Sequence, residues 1–305
     1  MRMPGTPEES RLYTEALKCL AEVYDAVRRN RAFSPDPSIT LMKKVTDVGR
    51  QEMDALFLAA IHRDYREDTV VHHSVNVAIL AVMIGSHLGI PAAGLVKLGT
   101  AAMFHDIGTV LVPDEIFYKT SALNSDEMKQ IRQRPVFSRQ ILSQLDKDYD
   151  YLAEIAVQVY ERQDGSGYPS GLKAADIHEY ARVIGLADFY EALIHSRPHR
   201  NRFLHFPAMK EVLRTGKNSF DRKHLKALMS VVSLFPVFSF VRLNSGTIGK
   251  VLETDARYPT RPRVKIIFDA QHRPMTTERI VDLKENTLLF ITDGMAEDVA
   301  GTGSI

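Results

Sequence analysis

Between His72 and about Phe235, apolar residues recur at helical spacing and are punctuated by Gly, Pro and Asn, whereas beyond Pro236 they fall into short β-branched runs. That change of period constrains the fold most, because a 3.6-residue stripe and a two-residue alternation bury incompatible faces. The first region contains Gly89-Ile90-Pro91 as a helix break and Asn124 to Glu127 as a capping box. The second contains Phe240 to Leu243, Thr247 to Glu253, Arg263 to Phe268 and Arg279 to Leu283, separated by turn residues. Ahead of both, Leu12, Ala16, Leu17, Leu20, Ala21, Tyr24 and Val27 mark one amphipathic helix, and helical spacing restarts at Ile39 after two prolines. The expectation is a mainly α protein. It has an N-terminal helical segment over 1–67, a helical bundle over 68–235, a small antiparallel β subdomain over 236–298 and a frayed tail over 299–305.

The chain has 305 residues, 45% hydrophobic and 25% charged, which suits a folded protein with a full core. Its 39 basic and 38 acidic residues give a net charge of +1, too weak a field to gather nucleic acid or an anionic membrane surface. The longest nearly unbroken apolar stretch, Val75 to Gly85, is shorter than the roughly 18–20 residues that span a bilayer. No signal-peptide pattern is seen, so a cytoplasmic protein without a membrane span is expected. Cys19 is the single cysteine and forms no internal disulfide; it reads as a small buried hydrophobe.

Polar residues in apolar helices carry the chemical signal. His73 shares a helix face with Val77, Leu80, Ala81, Ile84 and Leu88, so its imidazole points inward. His105 and Asp106 end the apolar helix from Leu95 to Ile107, with Gly108 as the expected stop. Asp188 lies on the face that also presents Ala181, Ile184 and Ala192. A buried carboxylate costs several kcal/mol unless it is paired or bound to a cation, and a metal is the simplest partner for this set. Imidazoles with carboxylates suit Fe, Mn, Co, Ni or Zn.

The set His73, His105-Asp106, Asp188 resembles the H…HD…D ligands of the HD phosphohydrolases. Glu161-Arg162-Gln163-Asp164-Gly165-Ser166-Gly167-Tyr168-Pro169 is similar to the HHExxDGxGYP stretch of the HD-GYP branch, and Arg197-Pro198-His199-Arg200 follows Asp188 as in that family. The resemblance implies an HD-domain helical bundle that hydrolyses cyclic di-GMP at a centre of two or three metals. It assigns His73, His105, Asp106 and Asp188 to the first metal, with His105 and Asp106 catalytic. It gives Arg197, Arg200 and Tyr168 to the nucleotide, and Asp164, Gly165 and Gly167 to the loop beside it, whose amides face an anion or simply close a turn.

The same resemblance exposes departures. Where the family has three further histidine ligands this chain has Arg134, Val159 and Tyr160, and where it has a lysine after HDIG this chain has Thr109. Valine cannot bind a metal and arginine is a permanent cation that repels one. Arg134 is left two readings, one gripping a phosphate with its guanidinium and one turned to solvent. The leading expectation is a cyclic di-GMP (or related nucleotide) binding protein of regulatory type, with degraded phosphodiesterase activity and one divalent transition metal or none. The alternatives are an active phosphodiesterase using a mononuclear site, and a partner-binding protein without nucleotide. Other signalling proteins, and a second copy meeting through the N-terminal helices, are the remaining expected partners.

Overall fold

The structure, a computed structural model, describes residues 7–49, 52–53, 55–57, 69–195, 203–255 and 257–295. The chain forms two compact units, one of residues 1–202 with 216–225 and one of residues 203–215 with 226–305.

In the first unit, helices α1 (Pro7–Arg28), α2 (Asp36–Asp47), α3 (Thr69–His87) and α4 (Ala92–Phe104) come first. They are followed by α5 (Asp114–Phe117), α6 (Ser125–Ile131), α7 (Arg134–Leu142), α8 (Asp150–Gln158) and α9 (Glu179–Ile194). The core forms where α3 packs on α4, α9 and α1, and where α2 and α8 pack on α4. Leu80, Ile84, Leu98, Met103 and Phe104 are fully buried there, each worth roughly 1.5–3 kcal/mol relative to exposure. The expected capping box on α6 is present, with Asn124 accepting from the Asp126 and Glu127 amides.

Several readings change. The buried stripe of α1 is Tyr13, Ala16, Leu20, Val23 and Tyr24, with Leu12, Leu17, Ala21 and Val27 only half-buried at its margin. Cys19 is half-buried beside Ser38. Gly108 does not stop α4: that helix ends at Phe104, and Gly108 lies inside a 3-10 turn, Ile107–Leu111. Glycine is needed there because a Cβ would meet the Arg134 carbonyl oxygen and the Ser138 nitrogen at 2.3 Å. The apolar stretch around Val75 is also longer than Val75 to Gly85, since Val70–His87 alone among the described residues is, by length and composition, long and apolar enough to cross a membrane. It is 83% buried inside the fold, as a core helix should be.

In the second unit, α10 (His205–Ser219) and α11 (Arg222–Val231), which it shares in part with the first, precede a sheet. Its strands are β1 (Phe240–Leu243), β2 (Ile248–Glu253), β3 (Arg263–Phe268), β4 (Pro274–Asp282) and β5 (Ile291–Met295). The order is β4-β3-β2-β1-β5, antiparallel throughout. Val241, Leu243, Ile248, Val251, Val264, Ile266, Val281 and Leu283 are buried, largely at alternate positions. Strand β5 was not foreseen, because Ile291-Thr292-Asp293-Gly294-Met295 has only a weak β pattern and is strand through its pairing with β1.

Two consequences are measurable. A Cβ on Gly185, in the middle of α9, would lie 2.4 Å from the Val159 carbonyl oxygen, so Gly185→Ala must push α9 off that backbone. Denaturant unfolding should show a loss of about 1–3 kcal/mol, and an unchanged midpoint would refute the close approach. In α11, burial pushes the His224 imidazole down to about 4. The unfolded chain then binds a proton that the folded one does not between pH 6.5 and about 4, so this residue subtracts stability as pH falls through that window. His224→Leu should flatten that part of the stability profile.

Candidate metal centre

Three inward-facing segments of the first unit meet at one place. Helix α3 supplies His73, the end of α4 supplies His105 and Asp106, and α9 supplies Asp188; all four are buried. One ligand atom from each of His73, His105 and Asp106 lies within 4.8 Å of the others. Asp188 Oδ1 is 2.9 Å from His73 Nε2 and 3.6 Å from His105 Nε2, which joins the fourth residue to the group.

The imidazoles are oriented by what their other nitrogens touch. His105 Nδ1 donates to the Ala102 carbonyl at 2.8 Å, which puts the Nε2 lone pair on the side of Asp188. That Nε2 is buried and has no hydrogen-bond partner among the described residues. His73 Nδ1 is bonded to Glu191, so its Nε2 also faces the cluster. Burial opposes ionisation of Asp188, and the imidazoles of His105 and His73 more than offset it, holding the carboxyl well below the usual range. Two lone pairs and two carboxylates around one point, one nitrogen without a hydrogen bond among the described residues, fit a divalent cation.

The other side of Asp106 is different. Its Oδ2 accepts from Arg134 Nη1 at 2.8 Å and its Oδ1 from the Tyr160 hydroxyl at 3.3 Å. The Arg134 side chain is 12% exposed and that of Asp106 3%, so the pair is nearly dry. Arg134 therefore does not turn to solvent. Its Nε donates to the Ile131 carbonyl, and its guanidinium carbon stands 5.0 Å from the Tyr160 ring centre. Tyr160 stacks on Tyr168 at 5.2 Å and 5°, and the exposed Arg132 covers the Tyr168 ring at 5.4 Å. The remaining substituted positions, Val159 and Thr109, are buried. A second cation does not fit these residues, because the space beside Asp106 already holds a positive charge and Val159 has no donor atom.

The loop after Tyr160 is held by its own side chains. Glu161 accepts from the Ser170 amide at 2.7 Å and the Leu172 amide at 3.0 Å, and Asp164 accepts from the Ser166 amide and hydroxyl. The amides of Gly165, Ser166 and Tyr168 all donate within the segment, so an anion cradle formed by these three is replaced by a structural turn. Gly165 has φ +80°, and a Cβ on Gly167 would strike the backbone of Glu161 and Arg162. Arg197 and Arg200 lie outside the described residues.

Glu191, Asn76 and Tyr13 were missed. Glu191 stands one turn beyond Asp188 on the same buried face, a carboxylate at an apolar position by the same criterion. Burial raises its carboxyl, yet His73 and His195 bring it well below the usual range. Helix α1 is joined to α3 beside the centre by the Tyr13 hydroxyl, which donates to Asn76, and on the same helix burial, with the charge of Asp106, pushes the Tyr24 phenol up.

Comparison with known proteins identifies the family of the chain. Residues 58–224 match the HD domain family, and residues 240–298 match a KOW domain associated with the HD domain. A cyclic di-GMP phosphodiesterase of Pseudomonas aeruginosa is 27% identical over 92% of this chain and 70% of its own length. A cyclic di-GMP phosphodiesterase of Borreliella burgdorferi is 30% identical over 64% of this chain, and a response-regulator cyclic di-GMP phosphodiesterase of Xanthomonas campestris is 27% identical over 74%. This chain spans 52% and 59% of the length of those two relatives. Among solved structures, an HDG"Y"P protein of Bdellovibrio bacteriovorus has the same fold, with a TM-score of 0.59, 17% identity and coverage of 75% of this chain and 73% of its own. The chain belongs to the HD domain family, in its HD-GYP branch.

Proposed function

We propose that this chain is a cyclic di-GMP signalling protein of regulatory type, which binds the nucleotide at a centre with at most one divalent transition metal and hydrolyses it weakly or not at all. The observation that carries this reading is the double engagement of Asp106 by Arg134 and Tyr160. A metal held by His73, His105, Asp106 and Asp188 would acidify a bound water and neutralise phosphate charge. Beside it, Arg134 supplies fixed positive charge but no exchangeable ligand site, so a two-metal clamp on attacking and leaving oxygens is not available. The nucleotide is proposed because the relatives named above are cyclic di-GMP phosphodiesterases, and because the exposed guanidinium of Arg132, held over the Tyr168 ring, offers a cation to a nucleotide phosphate. Arg197 and Arg200 are proposed to join them.

A second reading, an active phosphodiesterase on a mononuclear site, is favoured by the convergence of His73, His105 and Asp106. Elemental analysis of protein reconstituted with Mn²⁺ or Ni²⁺ should find no more than one ion per chain, and two would overturn the leading reading. Calorimetry should detect cyclic di-GMP binding. Metal-dependent turnover that vanishes in Asp106→Ala would establish the second reading instead.

The buried Arg134–Asp106 pair makes a separate forecast. Removing one partner strands the other in a dry site, so Arg134→Ala should destabilise the metal-free protein by about 3–5 kcal/mol. Urea unfolding of metal-free wild type and variant measures this, and a difference below about 1 kcal/mol would mean that the pair is not held as described.

A further inference from the structure

A line of buried hydrogen bonds runs from helix α1 to the metal side of His73. The Tyr13 hydroxyl donates to Asn76 Oδ1 at 2.8 Å, and Asn76 Nδ2 donates to Glu191 Oε1 at 3.0 Å. Glu191 Oε2 bonds His73 Nδ1, and His73 Nε2 lies 2.9 Å from Asp188. Tyr13, Asn76, Glu191 and His73 are at most 7% exposed, so solvent contributes little at any link. His195 Nδ1, at 3.0 Å from Glu191 Oε1, adds a further donor to the same carboxylate.

The line has a direction. A phenol hydroxyl donating into the Asn76 carbonyl obliges the amide nitrogen to face Glu191, where the reversed amide would set a carbonyl against a carboxylate. Glu191, kept in register by Asn76, accepts the Nδ1 proton of His73, which fixes the ring plane and leaves Nε2 directed at the cluster. Tyr13 meets Asn76, Asn76 meets Glu191 and Glu191 meets His73, so a path from Tyr13 to the centre passes through Glu191 and His73.

We propose that Tyr13, Asn76 and Glu191 are positioning residues for the metal ligand His73, and that α1 is in this way a working part of the centre. This rests on the reading of His73 as a metal ligand. Partners that orient a metal-bound histidine typically change metal affinity by about 10–100-fold when removed. Glu191 meets His73 directly and Tyr13 acts two bonds further out, so about a tenfold loss is expected for Tyr13→Phe and more for Glu191→Gln.

The test uses the full chain with Co²⁺ and Mn²⁺. Dissociation constants come from competition with a chromophoric chelator, and the visible absorption of the Co²⁺ form reports ligand geometry. Tyr13→Phe should raise both constants about tenfold and alter the Co²⁺ spectrum, while far-ultraviolet circular dichroism matches wild type. Asn76→Ala should weaken binding similarly, and Tyr13→Phe added to Asn76→Ala should weaken it no further, because the link is already cut. Additive losses, or wild-type affinity and spectrum in Tyr13→Phe, would overturn the proposal while leaving the metal site intact. Wild type that takes up neither ion would overturn the metal reading itself, and this proposal with it.

Discussion

Asp188 and Glu191 stand one turn apart on the buried face of α9, with no lysine or arginine paired to either among the described residues, and this is the constraint on which the site turns. Two carboxylates in an apolar helix bundle would cost many kcal/mol if left alone. What makes them tolerable is His73, whose two nitrogens meet one carboxylate each, with His105 beside Asp188 and His195 beside Glu191. The geometry of α3, α4 and α9 must therefore be kept to within hydrogen-bond tolerance. Close packing provides that: Gly185 lets α9 approach the carbonyl of Val159, and Gly108 lets the turn after Asp106 press against the backbone of α7. The bundle is as tight as it is around the site because the charges would not be stable in a looser one.

The legibility of this arrangement in the sequence follows the range of the forces involved. Helices with local periodicity and local caps, such as α1 and α6, were readable because the information lies within a few residues. The three polar positions His73, His105-Asp106 and Asp188 were readable for the opposite reason, as violations of that periodicity. Strand β5 was not, since its structure comes from a partner fifty residues away in sequence. Tyr13 was hidden for a subtler cause. A tyrosine in an amphipathic helix looks like marginal packing, and only tertiary structure shows that the true stripe is turned to bring its hydroxyl onto Asn76. Arg134 lay between: the sequence marked it as a substituted ligand position, but which way its side chain turns depends on Asp106 and Tyr160, 28 and 26 residues away.

Arg134 also bears on what the centre can do, because it places a fixed positive charge beside Asp106. On the proposed reading, the positive charge required beside Asp106 is supplied by a guanidinium carried on the chain, stacked on Tyr160 and donating to Ile131. A guanidinium compensates a carboxylate as well as an ion does, and it is present at any metal concentration, so the bundle folds around it without waiting for a cation. It cannot acidify a water, because it has no open coordination position, and its charge is spread over three nitrogens instead of concentrated at one point. On the same reading, such a replacement keeps positive charge beside Asp106 while removing a source of nucleophile. On that reading a centre with Arg134 beside Asp106 is displaced toward holding its ligand, and any catalysis would fall to His73, His105, Asp106 and Asp188, the cluster found among the described residues.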